Sequence, residues 1–283
     1  MAPSETITNT IDMLKPISPV AHQILAIAAD PGAGASDLAE VIIFDPSVTA
    51  NILRVCNSAY FGLPVRVDSI QHAVSLLGMD RIVEIIIVHL ATGCLQQPSG
   101  SHGSDTASGW IRSVASAFLA KSIGMEKNSP EIPFLFTAAL LKDIGVSIMA
   151  SCNKSGRSKV QELVAGRGYA ILDAEREVYS IDHAMLGAMI TDKWNFSAKM
   201  SHLISYHHAP LQGIHADRDA AAVYLADIIC SMTDSRNRWD APPHDSYDQA
   251  LGKLDYSGFD VYRLAEKGLN CSAAARIMFE ALQ

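Results

Sequence analysis

Leu140-Leu141-Lys142-Asp143-Ile144-Gly145 lies near the middle of the chain, inside an apolar stretch that runs from Phe134 to Met149. Such a stretch reads as an apolar helix, and two adjacent charges are misplaced in it unless they are paired. An ionised carboxylate there needs a metal, a cation or several hydrogen bonds, because burying it bare costs several kcal/mol or neutralises it. Candidate partners stand downstream: Asp182-His183 opens one helical pattern, His207-His208 closes another, and Asp227 sits inside a third. These are the residue types that metal-dependent hydrolases bring together in space.

Outward from that segment the chain reads as helical almost throughout. Apolar residues recur at three- and four-residue spacing over 20–29, 37–43, 48–56, 70–77 and 82–95, while period-two alternation is scarce. Ser18-Pro19 and Asp45-Pro46 fit an N-cap followed by the first helical position, and Gly78 follows Leu77 where a helix would stop. The one clear break in composition is 96–109, rich in Gly, Ser and polar residues. Helical patterns resume at 110–123, 133–151, 158–165, 172–180, 183–194, 198–207, 218–233, 247–254, 259–267 and 272–282, with a second loop at 235–246 around Pro242-Pro243. The expected architecture is all-α: a helical subdomain over 1–95, a linker over 96–109, and a second helical subdomain over 110–283 packed on the first. Its expected core includes Leu53, Leu77, Ile86, Phe118, Leu140, Leu141, Ile144, Leu186, Ile190, Leu225 and Ile228, with Met185, Met189 and Met200 as filler.

Composition narrows the function classes. The 283 residues suffice for a core without covalent staples. Five scattered cysteines without a Cys-x-x-Cys pair point to neither a zinc cage nor a disulfide framework, and fit a reducing cytoplasm. The first ten residues lack a signal-peptide pattern, and no apolar run is expected to approach the roughly 18 residues of a membrane span. A net charge of −8 disfavours a surface that binds nucleic acid by neutralising phosphates.

The string from Phe44-Asp45-Pro46 through Asn57-Ser58-Ala59-Tyr60-Phe61-Gly62-Leu63-Pro64, with Ile70-Gln71-His72-Ala73-Val74-Ser75-Leu76-Leu77-Gly78 after it, resembles the first half of HDOD domains. The second half agrees through Leu140–Gly145, Asp182-His183-Ala184-Met185-Leu186-Gly187-Ala188, Trp194-Asn195-Phe196, Tyr206-His207-His208-Ala209-Pro210 and Leu225-Ala226-Asp227. The resemblance covers roughly 17–233. It implies a bacterial signalling output domain related to HD phosphohydrolases, with an HD-like second subdomain and partners such as receiver, kinase or cyclase modules.

The departures from the catalytic relatives matter as much. Their signature dipeptide is His-Asp, with the histidine on one divalent metal and the aspartate usually bridging two; here the first position is Lys142. A further histidine of theirs precedes a serine, where this chain has Arg112-Ser113. An ammonium or guanidinium offers no lone pair to a metal at ordinary pH. The resemblance therefore leaves a vestigial cluster of Arg112, Lys142, Asp143, His183, His207, His208 and Asp227, in which the two cations stand in for metal charge by pairing with Asp143 and Asp227. No metal at full occupancy, no other cofactor and no catalytic residue is expected.

Plainer readings stand beside these. Lys142-Asp143 also suits an exposed pair at a helix edge, His207-His208 a helix C-terminal pair ahead of Pro210, and His183 the residue after an Asp182 N-cap. Asn57, Tyr60 and Phe61 fit either a helix terminus closed by Gly62 or a contact surface for a partner. Three function classes follow: a non-catalytic signalling or scaffold module, a metal-dependent phosphohydrolase of a nucleotide or cyclic dinucleotide, and a pocket in which Arg112, Lys142, His207 and His208 hold an anionic ligand without turning it over.

Overall fold

A computed structural model describes residues 5–14, 19–30, 32–42, 46–95, 103–153, 155–211, 218–233 and 244–282. The helices are α1 (Glu5–Met13), α2 (Pro19–Ala29), α3 (Ala35–Ile42), α4 (Pro46–Cys56), α5 (Ile70–Leu77), α6 (Met79–Leu95), α7 (Gly103–Glu126) and α8 (Ile132–Leu141). Then follow α9 (Ile144–Cys152), α10 (Gly156–Arg167), α11 (Ile171–Tyr179), α12 (His183–Lys193), α13 (Ala198–Ser205), α14 (Arg218–Thr233), α15 (His244–Lys253) and α16 (Gly258–Leu282). Among the described residues there is no strand. The fold is all-α.

In the first subdomain α2, α4 and α5 pack on α6, whose Ile82, Val83, Ile85, Ile86, Ile87 and Val88 are all buried. In the second, α7 is the central element, flanked by α8, α14 and α16. The two meet where α6 lies against α7, α8 and α9, and Trp110 Nε1 donates to Thr92 Oγ1 at 3.0 Å across that seam. The apolar run that opened the sequence reading is central to the core, with every residue from Leu135 to Leu141 buried. By length and composition Ile132–Cys152 is sufficient to cross a membrane, contrary to expectation, yet most of it is buried inside the fold. Among the described residues no other helix passes that test.

Several boundaries differ from the sequence reading. Gly103–Gly109, expected as linker, forms the first turns of α7, and Ser104, Asp105 and Thr106 are residue types favoured at a helix start. The rest of that segment, 96–102, lies outside the described residues, as do 235–243 of the second loop. Helix α1 carries no signal that the periodicity reading used, and the two patterns at 259–267 and 272–282 are one continuous helix, α16. Leu53 and Leu77 are only partly buried, and Met185 is 52% exposed rather than core filler. The other expected core residues are buried, apart from Met189, which is intermediate.

Candidate functional site

The helix that carries Lys142 and Asp143 breaks at those two residues. Helix α8 ends at Leu141 and α9 starts at Ile144, with Asp143 at φ −94° and ψ 11° as the N-terminal flank of α9. The break frees the two side chains from the 100° offset of neighbours on a continuous helix, so both turn to the same interior. Two glycines then bring the remaining elements close. A Cβ on Gly145 would lie 2.1 Å from the carbonyl oxygen of His183, so the first turn of α9 rests directly on the start of α12. A Cβ on Gly187 would lie 2.8 Å from Ile204 Cγ2, which sets α12 against α13. Asp182 caps α12 by accepting from Met185 N at 2.8 Å, and Arg176 Nε donates to its other oxygen at 2.7 Å.

All seven expected cluster residues converge. Lys142 is fully buried; its Nζ pairs with Asp143 Oδ2 and lies 2.7 Å from Asp227 Oδ1. Arg112 Nη2 reaches the same Asp143 oxygen at 3.4 Å. The other oxygen of Asp143 faces the imidazoles, 3.7 Å from both His183 Nε2 and His207 Nε2. His207 and His208 follow α13 in a turn instead of closing the helix, which ends at Ser205. The edge-exposed alternative for Lys142 is therefore wrong.

Glu175 belongs to this cluster and was missed from sequence. Its Oε2 accepts from His183 N at 2.8 Å and lies 2.6 Å from His183 Nδ1. The available signal was its place on the apolar stripe of α11, three residues after Leu172 and four before Tyr179. That is the same misplaced-charge argument that singled out Lys142-Asp143.

The charges are mutually stabilised. Burial alone would raise the Asp143 carboxyl, but Lys142 and then Arg112, with smaller help from His207 and His183, hold it well below the usual carboxylate range. Burial likewise disfavours the Lys142 ammonium, and Asp143 and Asp227 outweigh it, so the ammonium is held above its ordinary value. Burial, with repulsion from His208 and His183, pushes His207 well below the ordinary histidine value, which leaves it neutral at pH 7.

That neutrality fixes the His207 tautomer. His207 Nδ1 lies 2.7 Å from the Ile204 carbonyl, so it carries the hydrogen and Nε2 presents a lone pair, while His183 Nδ1 donates to the Glu175 carboxylate and turns its Nε2 toward the other two rings. The Nε2 atoms of His183 and His207 are 3.3 Å apart, and that of His208 is 3.0 Å from His183 Nε2. One nitrogen from each of His183, His207 and His208 thus lies within 4.8 Å of the other two, a set that suits a single cation, with Asp143 Oδ1 flanking His183 and His207. A second metal does not fit: Lys142 Nζ already lies between Asp143 and Asp227, and it brings no donor.

Asn57, Tyr60 and Phe61 are not part of this cluster. The Asn57 amide donates to Leu53 O and Val67 O and accepts from Val67 N, closing the loop after α4, which turns at Gly62 with φ +54°. Tyr60 and Phe61 form an edge-to-face pair 4.6 Å apart and pack, half-buried, on the core.

The HDOD domain model matches residues 14–210. An HDOD domain protein of unknown function from Geobacter sulfurreducens superposes with a TM-score of 0.78 at 20% identity, covering 98% of this chain and 97% of that one. A Shewanella amazonensis SB2B protein provisionally called a phosphohydrolase gives 0.74 at 21% identity, covering 99% of each chain. An uncharacterized protein of Treponema pallidum is 22% identical over 206 residues, 72% of this chain and 39% of its own length. The chain therefore spans well under half of that relative, and the structural likenesses speak to the fold. With the family's model matched over most of its length and an all-α neighbour of the same family superposing on nearly all of it, this chain belongs to the HDOD domain family.

Proposed function

We propose that this chain is a non-catalytic signal-transduction output or scaffold module, in which fixed cations have replaced metal charge in an HD-type site. The observation that carries the reading is the fully buried Lys142 ammonium between Asp143 and Asp227. Two cations, Arg112 and Lys142, share the cluster with three carboxylates, Asp143, Asp227 and Glu175, so these five groups sum to a charge of −1, apart from any proton on the imidazoles. Without the cations it would hold −3, and the attraction for a dication would be correspondingly greater. Lys142 Nζ also takes the place between Asp143 and Asp227 that one of a pair of metals would need in order to polarise a phosphoryl oxygen while the other activates water. Its expected partners are signalling proteins of the receiver, kinase or cyclase type, in a cytoplasmic setting and without nucleic acid, because those are the outputs the family resemblance implies and the chain is acidic.

Metal analysis of protein purified without chelators, run beside a phosphodiester hydrolysis assay, tests this. Well under one transition metal per chain and no metal-dependent turnover is the expected result. A second reading, a one-cation phosphohydrolase of a nucleotide or cyclic dinucleotide, is favoured by the convergence of three Nε2 donors. Here His183, His207, His208 and Asp143 would hold the ion, whose chemistry is to lower the pKa of a bound water. Stoichiometric manganese, iron or zinc with turnover, both abolished by His183→Ala with His208→Ala, would establish that reading instead.

A further inference from the structure

Helix α16 is amphipathic in an unusual sense, because both of its faces are organised. The inner face carries Leu264, Gly268, Ala275 and Met278, all buried against the body of the second subdomain. On the opposite side Tyr262, Glu266, Leu269, Ala273, Arg276 and Glu280 are all exposed. Their spacing alternates four and three residues from end to end, which keeps them in one straight stripe along about 27 Å of helix. Tyr262 is 79% exposed and Leu269 54%, and the stripe is preceded one step earlier by Phe259 at 88%. Large apolar groups left in water at coiled-coil spacing mark a contact face rather than scattered surface residues.

The order of residues along the stripe says what covers it. Reversed end for end, the four-three-four-three-four spacing from 262 to 280 maps onto itself. A two-fold axis midway between 269 and 273 then pairs Leu269 with Ala273, a large residue against a small one, at the centre. One step outward it pairs Glu266 with Arg276, opposite charges, and at each end Tyr262 with Glu280, a phenol with a carboxylate. Glu266 and Arg276 make no ion pair among the described residues, so both are available. The neighbouring register, shifted by one step, would set Glu266 against Leu269 and lose both charge pairs. We propose that the outer face of α16 pairs antiparallel with the same face of a second copy of this chain, through Tyr262, Glu266, Leu269, Ala273, Arg276 and Glu280. One helix pair is a small interface, so the dimer is weak, dissociating in the micromolar range.

Sedimentation equilibrium of the 283-residue chain from about 5 to 500 µM, at two ionic strengths, tests this. The expected result is a reversible monomer–dimer equilibrium that weakens as salt rises. Leu269→Glu should weaken association at least tenfold, by about the loss of a central anchor. Glu266→Arg and Arg276→Glu should each weaken self-association roughly tenfold, because each sets like charges opposite one another. Mixing those two single variants should restore a dimer of one of each, and the double variant Glu266→Arg with Arg276→Glu should dimerise like the parent. All three positions face solvent in the monomer, so unchanged thermal melting confirms that folding is intact. A parent chain that stays monomeric at 500 µM overturns the proposal. So does a dimer whose dissociation constant is indifferent to the charge exchanges, since its interface would lie elsewhere.

Discussion

At Lys142 two carboxylates lie within ion-pairing reach of one buried ammonium, and the energetics of removal differ from those of formation. Each pair gains roughly 4 kcal/mol at 4 Å in an effective dielectric near 20, before the cost of desolvation is subtracted. The net contribution of the assembled cluster can therefore be near zero, while deleting one member strands charge in the interior. Lys142→Ala should lower stability by about 3–5 kcal/mol in denaturant titration at pH 7. The exposed control Lys159→Ala should change it by no more than about 0.5 kcal/mol. Without the ammonium, burial raises the Asp143 carboxyl, so acidification toward pH 5 should narrow the gap between variant and parent by protonating it. A gap that is small at pH 7, or constant with pH, contradicts the ion-pair account. His207 gives the opposite sign. Its folded pKa is held well below 6.5, so below that pH the unfolded chain takes up a proton that the folded chain refuses. Stability in chelator should fall by up to about 1.4 kcal/mol per pH unit below pH 6.5 from this group, and His207→Gln should remove one proton's worth of that slope. The residues of this site were legible because charge inside an apolar pattern is improbable without a partner. Glu175 obeyed the same rule and was overlooked because the family resemblance directed attention to metal-ligand positions, not to the residue that orients a ligand.

Among the elements, the contact between α9 and α12 is the one that assembles the cluster. Gly145 allows it, since any Cβ there would collide with backbone of His183, which has no rotamer to give way. Gly145→Ala should force the two helix starts apart and cost about 1–3 kcal/mol of stability. It should also move His183 away from Asp143, visible as a shift in the His183 imidazole resonances. Gly166→Ala, where a Cβ meets nothing within 4 Å, should leave the same signals in place. An unmoved His183 spectrum in Gly145→Ala would mean that the elements are held by something other than this approach. Periodicity revealed these helices but not their ends. The break at 142–143 was invisible because apolar residues continue on both sides of it, so the pattern over 133–151 read as one helix. At 103–109 the opposite happened, and a helix start rich in Ser, Asp and Thr looked like linker because the same residues serve turns and N-termini. The two halves of α16 read as separate because its outward stripe places Leu269 and Ala273 on the face where polar residues are expected.

Across the whole molecule the cluster joins α7, the α8–α9 junction, α11, α12, the turn after α13, and α14, so whatever neutralises it acts on the second subdomain as a unit. Helix α16 carries that subdomain to the first, packing on α7 and α14 and also on α4, where Arg54 Nη2 donates to the Leu282 carbonyl at 3.1 Å. Fold class and the pairing of two helical subdomains followed from periodicity and resemblance together. Which charges met which did not, because sequence separation of 31 residues between Arg112 and Asp143 says nothing of distance. The replacement of metal by cations can be run in reverse on this framework. Arg112→His with Lys142→His removes two positive charges and adds two nitrogen donors beside Asp143, His183, His207, His208 and Asp227. The double variant without metal should be less stable than the parent, because its carboxylates lose their counter-charges. Manganese or iron should then stabilise it in proportion to RT ln(1 + [metal]/Kd), a rise of about 2.7 kcal/mol at one hundred times Kd. The parent should shift far less, and each single variant only partly, since one retained cation still repels the ion and occupies its place. Thermal melting against metal concentration, with calorimetric titration for stoichiometry, reads both effects. If the double variant melts like the parent without metal and is indifferent to added manganese or iron, Arg112 and Lys142 are not holding the place of a metal, and the charge-replacement account of this site fails.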